Sequence, residues 1–324
     1  MEITQLGRTG LTVSRMCLGT MNFGPATSET DSHAIMDAAL DSGINFFDTA
    51  NVYGWKTGEG VTERIVGRWF SLNGGRRDKV VLATKVYGEM GKWPNHGKLS
   101  ALHIRQACDA SLKRLQTDHI DLYQMHHIDR ATPWDEIWQA MDVLIHQGKV
   151  LYVGSSNFAG WHIAQANEAA RSHKLLGLVS EQCKYNLLTR EVEMEVLPAC
   201  ESYGLGVIPW SPLAGGVLAL SGRSGAAEKT RRNSDWSVPT RERHADQLTK
   251  FGALCDKLGE QPADVALAWL LGRSGVTAPI IGPRTAEQLS TALRAAEIKL
   301  DSDTQKELDR IFPGYRSAPE QFAW

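Results

Sequence analysis

The chain has 324 residues, of which 42% are hydrophobic and 22% are charged, so it can bury a large core and is not disordered throughout. Its 35 Lys and Arg residues are balanced by 37 Asp and Glu residues, which gives a net charge of −2. This balance leaves no basic excess to follow a phosphate backbone, so nucleic acid is not expected as a partner.

Targeting and metal-binding signals are also missing from the sequence. No run of roughly 18 apolar residues could span a membrane, and the start, MEITQLGRTG, lacks the charged and apolar regions of a secretory signal. The five cysteines include no CxxC pair, which is typical of reduced thiols rather than of disulfides or a zinc site. We therefore expect a cytoplasmic protein with no metal and no membrane partner.

A strand is predicted at each of eight short apolar runs, most of which follow one another at about 30 residues, the length of one βα unit. The runs lie at residues 16–19, 44–47, 80–83, 120–124, 150–153, 177–180, 206–209 and 278–281. Helical patterns fill the intervals, most clearly over 31–40, 102–115 and 134–145. This alternation predicts a (β/α)8 TIM barrel, formed as a single domain over residues 1–324. A doubly wound parallel sheet is the alternative, but it leaves eight strands without a visible second lobe.

Four segments fall outside the repeat. Residues 1–14, with Arg8-Thr9-Gly10 at their centre, are predicted to form a β-hairpin before the first barrel strand. Long loops are predicted over 85–100 and 210–243, after the third and seventh strands, and a tail over 313–324. Loops of this length are usually functional, and both would project from the barrel face where active sites lie.

Polar side chains follow the predicted strands one after another. Because the carboxyl ends of barrel strands meet at one face, these side chains are expected to converge. They are Asp48, Tyr53, Lys85, His126, His127, Ser155, Ser156, Asn157, Glu181, Gln182, Trp210 and Ser211. Singly, Asp48 could cap a helix and Lys85 could be a solvated loop residue. Their joint arrival at one face is better explained by a polar pocket.

Four of these residues suit the transfer of a proton to an oxygen atom. A tyrosine titrates at about pH 10, which is too high for an acid at neutral pH. A cationic Lys85 beside Tyr53 would stabilise the phenolate, and Asp48 would pair with the ammonium group. His126 could donate a hydrogen bond to a carbonyl oxygen and orient it.

Covalent and metal chemistry are less compatible with the sequence. There is no GxSxG motif, and no evident base accompanies Cys17 or Cys183. His126 and His127 are adjacent on an extended run, where neighbouring side chains face opposite ways, so a metal pair is not expected. The group can protonate an oxygen but cannot supply electrons, which implies a cofactor.

The usual dinucleotide motif, GxGxxG, does not occur in the sequence. A barrel can instead hold phosphates in the loops after its last two strands. Gly282, Arg284 and Gln288 follow the last predicted strand at a helix start, which favours an anion site. The alternative is that Thr285 simply caps this helix.

Taken together, these residues resemble the aldo-keto reductases over nearly the whole chain, from Leu18-Gly19-Thr20-Met21 to Gly282-Pro283-Arg284. The segments that carry the resemblance are Asn45-Phe46-Phe47-Asp48-Thr49-Ala50, Tyr53-Gly54, Asp121-Leu122-Tyr123-Gln124-Met125-His126, Gly154-Ser155-Ser156-Asn157-Phe158 and Pro209-Trp210-Ser211-Pro212-Leu213. The resemblance implies a (β/α)8 barrel and an NADPH-dependent carbonyl reductase. It implies Tyr53 as general acid, Lys85 and Asp48 as its electrostatic support, and His126 as the residue that orients the substrate.

The resemblance also implies a set of contacts to NADPH/NADP+. It places Trp210 against the nicotinamide, and Arg284 and Gln288 at the 2′-phosphate, which favours NADPH over NADH. Further implied cofactor-binding residues are Gly19, Thr20, Met21, Asp48, Ser156, Asn157, Gln182, Ser211, Pro212, Leu213, Gly215, Arg223 and Gly282, with Arg232 also in the long loop. The pattern departs from that of relatives at Thr291 and Ala292, where an acidic residue and an Asn usually contact adenine.

The substrate is expected to be a small carbonyl compound. Aromatic side chains in the loops suit a flat, partly polar ring, because aromatic faces stack on such rings. The residues expected near the nicotinamide are Phe23, Trp55, Trp93 and His127, with Met21, Trp236, Tyr315 and Trp324 around them. Packing of the barrel rim is the alternative role for several of them.

Two alternative functions stay open. The region around Trp210 resembles the branch that contains potassium-channel beta subunits and actinomycete deoxysugar reductases. The protein could therefore add hydride to an enone or ketone of a nucleotide-linked deoxysugar, since the same four side chains would handle the proton. It could instead be a cofactor-binding regulatory partner of a channel, although His126 argues against this. The sequence leaves a homo-oligomer open, because barrel surfaces present no readable interface.

Overall fold

The computed structural model describes residues 1–54, 59–72, 74–220 and 237–323, and within them strands and helices alternate along the chain. The strands are β1 (Ile3–Gln5), β2 (Thr12–Ser14), β3 (Cys17–Gly19), β4 (Phe46–Asp48), β5 (Val81–Val86), β6 (Ile120–Met125), β7 (Val150–Ser156), β8 (Leu178–Gln182), β9 (Gly206–Val207) and β10 (Ile280–Ile281). The helices are α1 (Glu29–Asp41), α2 (Val61–Ser71), α3 (Ala101–Leu115), α4 (Trp134–His146), α5 (Gly160–Ser172), α6 (Val196–Tyr203), α7 (Ser237–Arg243), α8 (Ala245–Leu258), α9 (Pro262–Leu271), α10 (Ala286–Arg294) and α11 (Ser302–Ile311).

The eight strands β3 to β10 form one parallel sheet in which chain neighbours pair, and β10 lies beside β3. Backbone hydrogen bonds also join its two ends, from Thr277 N to Val207 O and from Ile280 N to Pro209 O, each 2.8 Å long. The sheet therefore closes into the predicted (β/α)8 barrel, and the doubly wound alternative is wrong. The predicted hairpin is confirmed as well, since β1 and β2 pair antiparallel.

Several of the barrel strands continue further at their carboxyl ends than the apolar runs predict, although β9 ends two residues earlier. Lys85, Ser156 and Gln182 were expected after their strands but belong to β5, β7 and β8. These polar residues stay in the sheet because backbone pairing continues through them, as between Lys85 and Gln124. The polar pocket is therefore built on strands, which hold side chains more rigidly than loops do.

Apolar side chains fill the barrel below this polar layer. One buried cluster combines residues from the hairpin with inward-facing residues of the barrel strands: Leu6, Val13, Cys17, Phe46, Ala83, Leu122, Val179, Ile208 and Ala278. The hairpin thus closes the amino-terminal end of the barrel. Two larger clusters lie between the sheet and the helices. The carboxyl-terminal end of the barrel stays open, and the candidate site lies there.

Two sequence expectations concern cysteines and membranes. All five cysteines lie within the described residues, are buried and form no disulfide, as the missing CxxC pattern predicted. Among the helices of the described ranges, none combines the length and the apolar character that a membrane span requires.

Candidate active site

The polar layer arises from the two-residue period of the strands. Asp48, Lys85 and Gln124 each lie two positions beyond an apolar residue that faces the barrel interior, so their side chains face inward too. The apolar residues are Phe46, Ala83 and Leu122. The three polar side chains are buried, at 2%, 0% and 0% exposure. Alternation within a strand therefore brings charged and amide groups into the dry interior.

Lys85 is the centre of this layer. Its Nζ donates hydrogen bonds to Asp48 Oδ2 at 2.6 Å, to the Thr49 carbonyl oxygen at 2.9 Å and to Tyr53 Oη at 3.2 Å. Burial alone would lower the pKa of Lys85, but the negative charge of Asp48 and the contact with Tyr53 outweigh it and raise the pKa. Lys85 is therefore an ammonium group, and all three of its N–H bonds are used.

His126 completes the group of four. Its ring lies edge-on to the ring of Tyr53, with the centroids 5.8 Å apart. Burial, then the positive charge of Lys85, then His127 lower the pKa of His126 to about 2. The imidazole is consequently neutral at physiological pH, and it can donate a hydrogen bond without carrying a charge.

The expected opposite orientation of the two histidines is wrong. The rings of His126 and His127 lie parallel, 5.0 Å apart, and Tyr87 packs edge-on against His127 at 5.3 Å. The strand ends at Met125, so the alternation of an extended run no longer applies to the residues that follow. The result is a small aromatic wall beside Tyr53.

A second group of polar side chains lies across the barrel mouth from β6 to β9. Asn157 donates to the His126 carbonyl and to Ser156 Oγ, both at 3.0 Å, and its Oδ1 accepts from Trp210 Nε1 at 3.0 Å. Ser156 Oγ donates to the Gln182 carbonyl at 2.8 Å. Asn157 adopts a left-handed φ of 60°, which aims its amide at these partners. The amide of Asn157 is thus locked beside the partly exposed ring of Trp210.

Glu181 holds the residues on either side of Asn157 from inside the fold. Its carboxylate accepts from Ser155 Oγ at 2.5 Å and from the Phe158 N–H at 3.0 Å. Burial raises the pKa of Glu181 to about 7, although the hydrogen bonds from Ser155, Phe158 and Asn157 act in the opposite direction. The sequence placed Glu181 at a strand end but gave it no role.

The segment after Trp210 has an unusual backbone conformation. Ser211, Ala214, Gly215 and Gly216 have φ values of 57°, 49°, 64° and 95°. Ser211 Oγ accepts from the Gly215 N–H at 3.1 Å, which stabilises the turn. The N–H groups of Ala214 and Gly216 also donate within the turn, each at 2.9 Å, to the carbonyl oxygens of Ser211 and Leu213. Pro212 and Leu213, buried and half-buried, lie within it.

The segment after β10 is open to solvent. Thr285 caps α10 through a hydrogen bond from the Gln288 N–H, so the capping role considered for it is confirmed. Gln288 Oε1 accepts from the Arg284 N–H at 2.9 Å. The half-buried Arg284 forms no ion pair with any described residue, and Gly282 beside it is exposed. An unneutralised guanidinium at a helix start is suited to an anion.

Phe23 and Gly19, which were expected to contact the substrate and the cofactor, have structural roles at the end of β3 and in the turn after it. Phe23 is fully buried in the core and cannot face a substrate, so that expectation is wrong. Its position follows from the tight turn in which the Phe23 N–H bonds to Thr20 O at 2.8 Å. A Cβ on Gly19 would lie 2.5 Å from the Ile280 side chain, which explains the glycine by packing. Thr20 Oγ1 donates to Asp48 O at 2.9 Å, and Met21 is partly exposed.

The remaining residues that were expected to contact the substrate or the cofactor lie in different loops. Trp93 lies in the loop after β5 and is 76% exposed. His127 is exposed beside His126. Some expected ligand-binding residues lie outside the described ranges, namely Trp55, Arg223, Arg232, Trp236 and Trp324.

Gln124 was quoted in the sequence motif but was not recognised as part of the site. Its Nε2 donates to Asp48 Oδ1 at 3.0 Å, beside a 2.8 Å bond from Gln182 Nε2 to the same oxygen. A signal existed, because Gln124 is an amide in the inward register of an otherwise apolar strand. The partner of such an amide cannot be found from the strand alone.

A closed barrel with an ammonium, a phenol and a neutral imidazole in contact at its carboxyl end is typical of barrel oxidoreductases. The Aldo/keto reductase family model matches residues 15–312. The chain belongs to this family and is an oxidoreductase.

Relatives named as oxidoreductases and as channel subunits are both similar to the chain. An uncharacterized oxidoreductase of Bacillus subtilis, YrpG, is 56% identical, with both chains covered completely. Versiconal hemiacetal acetate reductase of Aspergillus parasiticus is 33% identical, over 98% of this chain and all of its own length. A putative voltage-gated potassium channel subunit beta of Schizosaccharomyces pombe is 33% identical, over 94% of this chain and 92% of its own.

Proposed function

We propose that the protein reduces an aldehyde or ketone to an alcohol with NADPH, and that Tyr53 protonates the carbonyl oxygen. The observation that carries the proposal is the 3.2 Å contact between Lys85 Nζ and Tyr53 Oη, which puts a buried cation beside a phenol. When bound, the reduced nicotinamide supplies a hydride to the carbonyl carbon. The residues of the chain would supply the proton and the geometry.

Tyr53 has the surroundings that a general acid needs. The Lys85 ammonium stabilises the phenolate that remains after proton transfer, so it favours release of the Tyr53 proton. Asp48, 2.6 Å from Lys85, compensates the cost of burying this cation. Because the pair is almost fully buried, its field is weakly screened by water and acts strongly on the reacting oxygen.

His126 would hold the carbonyl oxygen near Tyr53. A neutral imidazole can donate to the oxygen and orient it without competing as an acid, and the low pKa of about 2 supports this form. The edge-on packing of Tyr53 against His126 brings the two donors to one side of the mouth. This arrangement supports an enzyme over a regulatory partner.

The side chains around Trp210 fit the nicotinamide end of the cofactor. Both N–H bonds of Asn157, and both of Gln182, are used inside the protein, so only their oxygens can bind a carboxamide NH2. Asn157 Oδ1 already accepts from Trp210 Nε1, which leaves it one lone pair for the ligand. The aromatic face of Trp210 suits a flat ring. The half-buried cation at Arg284 fits a 2′-phosphate.

The aromatic wall beside Tyr53 also indicates the class of substrate. The rings of His126 and His127 are stacked, and Tyr87 packs edge-on against His127. This group beside Tyr53 suits an aryl or other flat carbonyl compound. A relative that covers 98% of this chain is named as a reductase of versiconal hemiacetal acetate. We therefore take p-nitrobenzaldehyde as the first probe.

The test replaces the proposed acid. Tyr53→Phe should lower kcat for p-nitrobenzaldehyde by about 10²–10⁴-fold, since it removes the proton donor, while the Kd for NADPH stays unchanged. Turnover is followed by NADPH absorbance, and binding by fluorescence titration. Tyr152→Phe, a half-buried tyrosine in the lower barrel, serves as the matched control and should behave as wild type. Turnover by Tyr53→Phe within tenfold of wild type would contradict the proposal.

A further inference from the structure

Gln124 lies in the barrel interior between two residues of the site. Its fully buried side chain donates from Nε2 to Asp48 Oδ1 at 3.0 Å and accepts at Oε1 from Gln182 Nε2 at 3.2 Å. Gln182 Nε2 also donates to the same Asp48 oxygen at 2.8 Å. The three side chains form a closed triangle of hydrogen bonds.

The carboxylate fixes the orientation of both amides in this triangle. An ionised carboxylate only accepts hydrogen bonds, so each glutamine must turn its NH2 group toward Asp48. Gln182 then uses its second N–H on Gln124, and only its carbonyl oxygen is left for a ligand. Asp48 therefore determines which end of Gln182 faces the barrel mouth, and Gln124 occupies the remaining N–H of Gln182.

Asp48 in turn sets the direction of the Lys85 ammonium. Two amides occupy Oδ1, which leaves Oδ2 for Lys85 at 2.6 Å. The other two ammonium hydrogens go to the Thr49 carbonyl and to Tyr53 Oη. A rotation of the carboxylate would pull the ammonium group away from the phenol, so the amides that hold Asp48 also hold this contact.

A buried amide that ties the fold together has different partners. Asn167 on α5 donates to the Ile163 carbonyl at 2.9 Å and accepts from the Leu178 N–H at 3.1 Å, and both partners are backbone groups. Gln124, by contrast, bonds to two side chains of the site. This contrast distinguishes a residue that serves the site from one that serves the fold.

We propose that Gln124 is a positioning residue for proton transfer, whose amide fixes Asp48 and, through it, the direction of the Lys85 ammonium toward Tyr53. The inference rests on the proposed function, in which Tyr53 is the proton donor. Through Gln182, the same amide connects the proton-donor side of the pocket with the side proposed to hold the nicotinamide.

Two substitutions separate positioning from a structural role. Gln124→Met keeps the volume but removes the donor, so kcat per NADPH-binding site should fall about tenfold at every pH, with the Kd for NADPH unchanged. Gln124→Glu makes the donor depend on protonation. A protonated carboxyl group donates to Asp48 as the amide does, whereas an ionised one repels it.

The expected signature is therefore a ratio of variant to wild-type kcat that changes with pH. With p-nitrobenzaldehyde and NADPH, the ratio for Gln124→Glu should be near one at about pH 5.5 and about tenfold lower by about pH 8.5. Using the ratio cancels the titrations that both proteins share. The titratable groups on the surrounding strands and loops are Cys17, Asp48, Tyr53, Lys85, His126 and Glu181.

The matched control is Asn167→Leu, which exchanges a buried amide for an apolar side chain away from the site. It should lower the Tm but give a kcat ratio near one at every pH. A structural role for Gln124 would make both Gln124 variants behave like this control.

The outcomes also separate this inference from the proposed function. If Tyr53→Phe loses turnover while both Gln124 variants match wild type at every pH, the positioning role is overturned and the proposed function stands. A low kcat ratio for Gln124→Glu that does not change with pH also overturns it. If Tyr53→Phe turns over normally, both proposals fall.

Discussion

Two carboxylates are buried at the same end of the barrel, but their surroundings differ. Asp48, on β4, contacts the Lys85 ammonium and two side-chain amides. Glu181, on β8, contacts a hydroxyl group and a backbone N–H, and none of the described residues places a cation against it. The first region holds a full ion pair in a dry interior, and the second holds a carboxyl group with a pKa near 7.

The comparison shows that burial alone does not decide the charge of a group. Removal from water favours the neutral form of any carboxyl group, and hydrogen bonds from neutral donors offset only part of that cost at Glu181. At Asp48 a cation lies in direct contact, and the negative charge of Asp48 outweighs burial and raises the pKa of the Lys85 ammonium. The site for proton transfer is therefore built where the sequence places opposite charges on adjacent strands.

The largest effect is expected from removing the cation, which would make the Asp48 region resemble that of Glu181. Lys85→Met should lower kcat by about 10³-fold and the free energy of unfolding by about 3–5 kcal/mol, because a buried carboxylate loses its partner. Steady-state kinetics and urea denaturation measure the two effects.

The double variant Lys85→Met with Asp48→Asn separates the loss of turnover from the loss of stability. It should regain most of the unfolding free energy, since no charge is left buried, but none of the turnover. If the double variant is as unstable as the single one, the ion pair is not the cause of the loss.

A smaller effect is expected at Glu181, and it depends on pH. Its pKa is raised, so the folded protein keeps a proton that the unfolded chain releases above about pH 4.5. Glu181 therefore stabilises the fold most below that pH, and this contribution of roughly 3 kcal/mol is lost as the pH rises through 7. Glu181→Gln should remove this fall from the curve of unfolding free energy against pH.

The control for this measurement is Glu201→Gln, which changes an exposed carboxyl group on α6 and should keep the wild-type curve. If Glu181→Gln keeps the same dependence on pH as wild type, Glu181 is ionised in the fold and the contrast with Asp48 disappears.

The smallest effect extends the comparison to an exposed charge. Arg284→Ala should raise the KM for NADPH about tenfold and change that for NADH by less than about twofold, because a single guanidinium–phosphate contact is lost. Salt should weaken the difference, since exposed charges are screened.

Arg310→Ala, at an exposed arginine on α11, is the matched control and should leave both constants unchanged. Equal changes for NADPH and NADH in Arg284→Ala would mean that the 2′-phosphate is bound elsewhere.

Local patterns along the chain predicted the architecture and, in the polar layer, Asp48 and Lys85 but not Gln124. Strand candidates such as 120–124 and 150–153 lie within the observed β6 and β7, and helix α3 was placed within one residue at its start. These predictions succeeded because strand and helix periods are properties of neighbouring residues. The polar ends of β5 and β7 were read as loops, since a search for apolar runs stops at the first polar side chain.

The sequence by itself determined the alternation of strands and helices and the inward register of Asp48 and Lys85. Only the tertiary structure decided which groups they meet, because Gln124 and Gln182 reach Asp48 from 76 and 134 positions away along the chain. The parallel rings of His126 and His127 and the buried carboxyl group of Glu181 also depend on how strands close around one another. Periodicity tells which way a side chain faces, whereas hydrogen bonding and desolvation depend on distances that only the closed barrel fixes.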